Sequence, residues 1–346
     1  MVGRTWVQWA VVSAVVLGMS GCSRHEQLQD TFYPMGGVPF SIKVYDVPQA
    51  LFEEAFRNVR TEVERLEELF SVYIPDSDVA RLNREGRASI APETAVVLKL
   101  ALELGSKTDG AFDVTIMPLV QWWKYCEGDG PHGRLPTYEE LAARMEQVDW
   151  RQLQLSGDRA EFKKAGMGLD LGGIAKGFMA DRAAQILKKA GLKRGIISAG
   201  GDLVVFNSVG EAPFQVGIRD PMAPERNMGT LAIDNGAIVT SGCYRTGNDE
   251  RFYAIGSKRY CHILDPKTGW PVKGLLSSTI VAEEAVTADA IATASMVLGR
   301  EKGLELINML PGVEGVLVWE EEGKHRWEIT EGLKGKVRME PVESTK

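Results

Sequence analysis

Residues 195–206 read Gly-Ile-Ile-Ser-Ala-Gly-Gly-Asp-Leu-Val-Val-Phe, two short β-type runs with a Gly-Gly-Asp turn between them. A turn of this composition between two apolar runs is typical of a hairpin. Further runs of the same kind follow at 214–218, 237–240, 278–282 and 315–319. The Gly, Asp and Pro residues that separate them predict mostly antiparallel sheets rather than a doubly wound parallel sheet.

Helical segments interrupt these strands. Apolar residues recur at helical spacing over 51–70, with charged residues between them, which predicts an amphipathic helix. Pro92 suits the first turn of a second helix, which we expect to end near Gly105. The other expected elements are a strand at 39–46 and helices at 176–190, 287–298 and 302–309. The fold class predicted is therefore α+β, with helices packed on the sheets and without tandem repeats.

The composition excludes two classes of protein. With 346 residues, 44% hydrophobic and 25% charged, the chain can bury a sizeable core, so it is not generally disordered. Its formal net charge of -7 gives no basic footprint for a phosphate backbone. We expect no nucleic-acid partner.

The N-terminus is typical of an export signal. Arg4 precedes an apolar stretch at 6–19, and small residues stand just before Cys22. The stretch is shorter than the roughly 20 residues of a membrane-spanning helix. Residues 19–22 resemble the bacterial lipobox, whose cysteine carries the lipid, for example palmitate; an ordinary cleaved signal is the alternative.

The expected organisation follows from this signal. We expect a lipoprotein signal peptide at 1–22, a flexible tether at 23–30 and one catalytic domain at 31–340. An acyl anchor on Cys22 would hold the folded part on the extracytoplasmic or periplasmic side of a bacterial cell membrane. The choice between inner and outer membrane stays open, although Ser23 after the cysteine weakly favours the outer one.

Three cysteines remain in the mature chain, Cys126, Cys243 and Cys261. An odd number leaves at least one thiol free, and the absence of a CxxC element argues against zinc. Our default expectation for each is a small buried apolar side chain. Whether any two of them form a disulfide stays open.

Asp289 and Thr293 stand four residues apart on a predicted helix rich in small apolar residues. Side chains at this spacing lie over one another, so a carboxylate and a hydroxyl could both reach one hard cation. Helix capping by Asp289 and back-bonding by Thr293 form the structural alternative, which spacing alone favours.

A glycine-rich helix entry lies at 169–181. Gly172 and Gly173 allow a close backbone approach after Asp170, and Lys176 opens the helix. Unpaired N–H groups at a helix start suit an anion. The spacing matches neither the P-loop nor the dinucleotide-binding motif, so a plain tight turn is the alternative.

Several other side chains are candidates for a functional site. His262 ends a predicted strand, where it could transfer protons near neutral pH, although a structural histidine is the commoner case. Ser241 could supply a hydroxyl to a phosphate, but no G-x-S-x-G elbow surrounds it, which disfavours a serine hydrolase. Tyr73 and the 110–113 segment could form walls for a flat ligand.

These segments share one order along the chain. They are Met35-Gly36, Phe70-Ser71-Val72-Tyr73 with Leu82-Asn83, Gly110-Ala111-Phe112-Asp113 with Pro118-Leu119, Leu169 to Gly177, Gly200-Gly201-Asp202, Thr240-Ser241-Gly242, His262 to Gly269, and Ala288-Asp289-Ala290 with Thr293. The ordered set resembles the ApbE-type FAD:protein FMN transferase family over about 35–299. The resemblance implies an ApbE-like, T-fold-related α+β architecture.

The resemblance also implies roles for single residues. Mg²⁺ would be held by Asp289, Thr293 and a backbone carbonyl that we place at Gly173, which reverses the capping interpretation. His262 is the candidate general base, with Asp265 orienting it. The implied FAD contacts are Met35, Tyr73, Ala111, Phe112, Asp113, Asp170, Lys176 and Leu264. Three positions depart from the family pattern, namely Gly37 for threonine, Phe178 for tyrosine and Cys243 for an acidic residue.

The implied reaction is Mg²⁺-dependent transfer of the FMN moiety of FAD to a threonine or serine hydroxyl of another protein, with AMP released. Two alternatives stay open, a Mg²⁺-dependent FAD pyrophosphatase releasing FMN and AMP, and a non-catalytic periplasmic FAD-binding lipoprotein. The implied acceptors are subunits of membrane redox complexes, of the sodium-pumping NADH:quinone reductase or Rnf type.

Overall fold

The structure, a computed structural model, describes residues 26–128, 133–223, 225–243 and 252–340. The expected signal peptide and its Cys22 lie outside these residues. Within the described ranges, no helix combines the length and the apolar character that crossing a bilayer requires.

Sixteen strands occur in the described residues. In chain order they are β1 (Gln27–Phe32), β2 (Phe40–Tyr45), β3 (Arg87–Ser89), β4 (Leu153–Ser156), β5 (Arg159–Phe162), β6 (Gly195–Ala199), β7 (Asp202–Phe206), β8 (Phe214–Arg219), β9 (Asn227–Ile233), β10 (Gly236–Gly242), β11 (Phe252–Ile255), β12 (Lys258–Cys261), β13 (Leu275–Ala282), β14 (Glu314–Glu321), β15 (Lys324–Ile329) and β16 (Val337–Met339). The named strands pair antiparallel throughout, as the sequence predicts.

Seven α-helices accompany these strands in the same residues. They are α1 (Gln49–Phe70), α2 (Asp78–Glu85), α3 (Pro92–Lys107), α4 (Met117–Cys126), α5 (Tyr138–Met145), α6 (Ala175–Lys189) and α7 (Ala285–Met309). The two helices expected at 287–298 and 302–309 form α7, which is kinked at Gly299, where φ is 76°. The short helices α2, α4 and α5 were not predicted.

An eight-stranded sheet in the order β1-β2-β6-β7-β10-β13-β14-β15 forms the centre of the protein. Its central strands β7, β10, β13 and β14 are apolar on both faces because each face is covered. Val204 and Val239 belong to the core beneath α1, α6 and α7. Their neighbours Val205 and Ile238 pack instead against the three-stranded sheet β16-β9-β8. Alternate side chains of one strand therefore enter two different cores.

The expected tether at 23–30 is wrong over its second half. Residues 27–30 belong to β1, which pairs with β2 in register from Gln27 opposite Tyr45 to Phe32 opposite Phe40. Leu28 packs against the main core and Phe32 is buried in it. The polar composition of this segment masked an edge strand, because only one of its faces meets the core.

A smaller apolar cluster lies beside the main core. Trp123 of α4 and Leu141 of α5 pack there with Tyr253 of β11 and with Leu264. The Trp123 indole also donates to the Gly269 carbonyl at 2.8 Å. This cluster holds the β11–β12 hairpin and the 263–272 turn, so it supports the segment that carries His262.

Candidate functional site

The start of α7 is fixed by α6. Both carboxylate oxygens of Asp181 accept backbone hydrogen bonds at 2.9 Å, one from the Ala285 N–H and one from the Val286 N–H. Gly177 allows the two backbones to touch, because a Cβ there would lie 2.3 Å from the Ala285 oxygen. Burial raises the pKa of Asp181 to about 6, and its two N–H donors oppose that rise. The contact sets where the side chains of α7 project.

Two buried carboxylates converge one turn further along α7. Asp289 is 2% exposed and Asp202, from the start of β7, is 5% exposed. The Lys176 ammonium lies between them, 2.9 Å from Asp202 Oδ2 and 3.3 Å from Asp289 Oδ1. The Gly177 N–H donates to Asp289 Oδ2 at 3.2 Å. Three charges from three elements therefore meet at the α6–α7 junction.

The charged groups of this cluster change one another's pKa. Burial raises the pKa of Asp289 to about 6; Lys176 opposes this shift and Asp202 adds to it. Burial lowers the pKa of the Lys176 ammonium, but the attraction of Asp202 and Asp289 is larger, so its pKa is raised overall. Lys176 is therefore held as a cation between the two carboxylates.

Thr293 lies one turn beyond Asp289 and faces a glycine turn. Its hydroxyl is 3.3 Å from the Ser241 hydroxyl of β10. A Cβ on Gly173 would lie 3.2 Å from Thr293 Oγ1 and 3.2 Å from the Phe112 ring. Only a glycine brings the backbone this close without pushing the threonine away.

The residues implied as metal ligands thus lie together. Among the described residues, no backbone hydrogen bond ends on the Gly173 carbonyl, because the Gly177 N–H donates to Asp289 instead. A carboxylate, a hydroxyl and a carbonyl are the oxygen ligands that Mg²⁺ or Ca²⁺ prefers. No cluster of three His, Cys, Asp or Glu side chains occurs in the described part of the chain. The site therefore fits a hard cation and lacks the ligands of zinc.

Asn83 links the segment before α6 to a cavity. Asn83 holds Leu169 by two hydrogen bonds, accepting from its N–H at 2.6 Å and donating to its carbonyl at 2.9 Å. Asp170 follows, and its carboxylate accepts from the Gly172 N–H at 2.7 Å. Asn83 also lines a cavity of about 450 Å³ with Tyr73 and Lys124. Tyr73 is 76% exposed at its edge and accepts a hydrogen bond from the Lys124 ammonium at 2.6 Å.

The 111–113 segment lies in the core. Ala111 and Phe112 are buried there. The Asp113 carboxylate accepts from the Thr115 N–H and hydroxyl and from the Trp150 N–H, at 2.6–3.0 Å. Burial raises the pKa of Asp113. The Phe112 ring lies against the Gly173 turn, and the Ala111 and Phe112 N–H groups donate to Thr108.

Two further predicted FAD contacts, Met35 and Leu264, lie in other segments of the chain. Met35 has a positive φ of 53° in the turn before β2. That turn approaches the β6–β7 turn, because a Cβ on Gly200 would lie 2.8 Å from Val38 Cγ1. Leu264 is buried and bridges to Pro271.

His262 directly follows β12 and is partly buried. The preceding Cys261 forms a disulfide with Cys243, which follows β10 and Ser241. Cys261 is buried in the main core and Cys243 is partly buried against it, so the disulfide that the sequence left open is formed by this pair. Cys126 is free and buried, as expected. Asp265 accepts from the Lys267 N–H and the Thr268 hydroxyl, at 2.8 and 3.0 Å. Both of its oxygens thus shape the turn, and its orienting role toward His262 stays a prediction.

Known proteins are similar to this chain over most of its length. The model of the ApbE family matches residues 36–317. The chain belongs to the ApbE family. An FAD:protein FMN transferase of Vibrio cholerae is 32% identical over 320 residues, covering 88% of this chain and 92% of that protein.

Solved structures agree with this assignment. The crystal structure of the ApbE protein from Thermotoga maritima has a TM-score of 0.77 and 30% identity, covering 90% of this chain and 99% of that one. Flavin transferase ApbE from Vibrio cholerae has a TM-score of 0.74 and 27% identity over the same shares. The expected ApbE-like α+β fold is confirmed.

Sequence reasoning missed three features of the site. Asp202 entered only as the end of a Gly-Gly-Asp motif, and Asp181 only as a member of a helix. Their partners lie far away in sequence, so nothing local could reveal them. The third is the disulfide, for which three cysteines offered no way to choose a pair.

Proposed function

We propose that this protein transfers the FMN moiety of FAD to a threonine or serine hydroxyl of an acceptor protein and releases AMP. The observation that carries the proposal is the convergence of Asp289, Thr293 and the Gly173 turn beside Lys176. The relatives named FAD:protein FMN transferase support the same reaction.

The oxygen ligands support Mg²⁺ as the cofactor. Asp289, Thr293 and the Gly173 carbonyl would hold it. When bound, Mg²⁺ neutralises the diphosphate of FAD and aligns its FMN phosphorus for in-line attack.

Residues around the turn would bind the rest of FAD. Lys176 keeps its positive charge and lies at the N-terminal end of α6, where the helix dipole also favours an anion. The cavity beside Tyr73 offers an aromatic wall for a flat ring. The other proposed contacts with FAD are Met35, Ala111, Phe112, Asp113, Asp170 and Leu264.

His262 is the proposed general base. The acceptor oxygen forms a bond to the FMN phosphorus, the bond from that phosphorus to the bridging oxygen breaks, and AMP leaves with that oxygen. The proton of the acceptor hydroxyl passes to the imidazole, whose ordinary pKa of about 6.5 suits this step.

We place the protein on the extracytoplasmic side of a bacterial membrane, held by a lipid on Cys22. The Cys243–Cys261 disulfide supports an oxidising compartment. Subunits of membrane redox complexes that face the same compartment, of the sodium-pumping NADH:quinone reductase or Rnf type, are the proposed acceptors.

One incubation separates the candidate activities. The purified protein is mixed with FAD, Mg²⁺ and a candidate acceptor, and flavin fluorescence is read on the denatured acceptor. Fluorescence that stays with the acceptor supports transfer. Free FMN with AMP and no labelled acceptor would indicate a pyrophosphatase, and unchanged FAD would indicate a binding protein. A matched control replaces Mg²⁺ by a chelator.

A further inference from the structure

The Cys243–Cys261 disulfide joins the residue that follows β10 to the last residue of β12. Cys243 comes two residues after Ser241, whose hydroxyl is 3.3 Å from Thr293 Oγ1. Its N–H donates to the Leu276 carbonyl at 3.0 Å, which ties it to β13. Cys261 ends β12, directly before His262. The two Cα atoms are 5.4 Å apart.

The hairpin that leads to His262 is not part of the central sheet. Within the described chain, β11 and β12 pair with each other and with no strand of that sheet. After His262, Ile263 is buried in the main core. The Val272 N–H donates to the Ile263 carbonyl, and Leu264 packs into the cluster around Trp123.

We propose that the disulfide between Cys243 and Cys261 is a positioning element that holds His262 beside the Asp289–Thr293 site. This rests on the function proposed above. The residues after His262 pack in the main core and in the cluster around Trp123. The disulfide is a covalent link from the residue before His262 to the segment that carries Ser241, whose hydroxyl contacts Thr293. A misplacement of about 1 Å can cost on the order of 100-fold in rate.

The bond can be opened by a defined reaction. A small dithiol gives two electrons and two protons to the disulfide, the S–S bond breaks into two thiols, and the dithiol closes to a cyclic disulfide. Cys243 is only partly buried, so a small reagent can reach the bond. Cys126 is a built-in control, because it is buried and outside the bond.

The first test compares the full-length protein before and after reduction by dithiothreitol. We expect kcat for FMN transfer to fall at least about tenfold while the KM for FAD changes less than twofold, since FAD and metal ligands are untouched. The Cys243→Ser/Cys261→Ser variant should match the reduced protein and ignore the dithiol. Cys126→Ala should behave as wild type. Unchanged kcat after complete reduction, or an equal loss in FAD affinity, would overturn the proposal.

A second readout does not depend on transfer. Mn²⁺ at the metal site broadens nearby histidine carbon signals, and His262→Gln identifies the relevant one among four histidines. We expect reduction to weaken the broadening of the His262 signal. If broadening depends on the disulfide but no acceptor is labelled, the positioning role stands and the proposed function fails. If broadening is the same in both redox states, His262 is held by other contacts and the proposal is wrong.

Discussion

The Lys176 ammonium lies 3.3 Å from Asp289 Oδ1 across the junction of α6 and α7. A buried carboxylate without a counter-charge would be strongly destabilising. Lys176 supplies that charge inside the protein, and Asp202 holds Lys176 from the other side at 2.9 Å. We therefore expect the site to fold without a bound metal ion, so that variants of the proposed ligands can be studied as folded proteins.

A matched pair of variants at Thr293 tests the proposed metal site. Thr293→Val keeps the shape and removes the hydroxyl, whereas Thr293→Ser keeps the hydroxyl. We expect the valine variant to bind Mn²⁺ at least about tenfold more weakly, and the serine variant to bind it nearly as wild type. Titration calorimetry of both proteins measures this. Equal Mn²⁺ affinity in the two variants would exclude the hydroxyl as a ligand.

Gly177 tests the contact that fixes α7. Alanine is favoured over glycine inside a helix by roughly 0.5–1 kcal/mol. A Cβ at Gly177 would meet the Ala285 backbone at 2.3 Å, and such overpacking costs roughly 1–3 kcal/mol. We therefore expect Gly177→Ala to lower the free energy of unfolding in urea. Gly303→Ala is the control, because its nearest contact is 3.3 Å. A stabilised Gly177→Ala protein would contradict the packing described.

The raised pKa of Asp181 predicts that the stability of the protein depends on pH. Burial raises its pKa from 3.8 to about 6. A carboxyl whose pKa is raised on folding stabilises the protein when protonated, so this contribution is complete below about pH 4 and is lost as the pH rises through about 6. We expect wild type to lose up to roughly 3 kcal/mol more than Asp181→Asn over this window. Urea unfolding of both metal-free proteins at several pH values measures the difference. If the free energy of unfolding of the two proteins depends on pH in the same way, the raised pKa of Asp181 is refuted.

His262 tests the proposed base. His262→Gln keeps a polar side chain but cannot accept the proton, so we expect kcat to fall by about 10²–10⁴ with FAD binding retained. Asp265→Asn is a useful comparison, because its carboxylate serves the turn at 265–269 and a smaller loss is expected. Transfer rates and FAD titrations measure both. A fully active glutamine variant would remove the imidazole from the mechanism.

Local patterns predicted the framework of the fold. Helical spacing located α1, Pro92 located the start of α3, and apolar runs located β6, β7, β8, β10, β13 and β14. The helices α6 and α7 were also predicted, although α7 is apolar on most sides and shows little helical period. The strand β1 and the helix α5 were missed because their polar faces dominate so short a segment. Their position follows from tertiary contacts that no local pattern contains.

The sequence likewise predicted only part of the site. The stacking of Asp289 over Thr293 follows from the helical period alone. The neighbours that complete it, Asp202 and Lys176, are 87 and 113 residues from Asp289, so only the fold brings them in. Gly173 was placed by family resemblance, and the structure supplies the reason, since a side chain there would meet Thr293.

The central claim is that a divalent cation on Asp289, Thr293 and Gly173 supports the transfer of FMN to a protein hydroxyl. Intact-mass spectrometry of an acceptor after incubation with FAD and Mg²⁺ tests it most directly, with wild type and Asp289→Asn compared side by side. We predict that wild type adds the mass of FMN less one water to the acceptor, and that the folded variant is at least about 100-fold slower. Equal labelling by the two proteins, or labelling that persists in a chelator, would contradict the account.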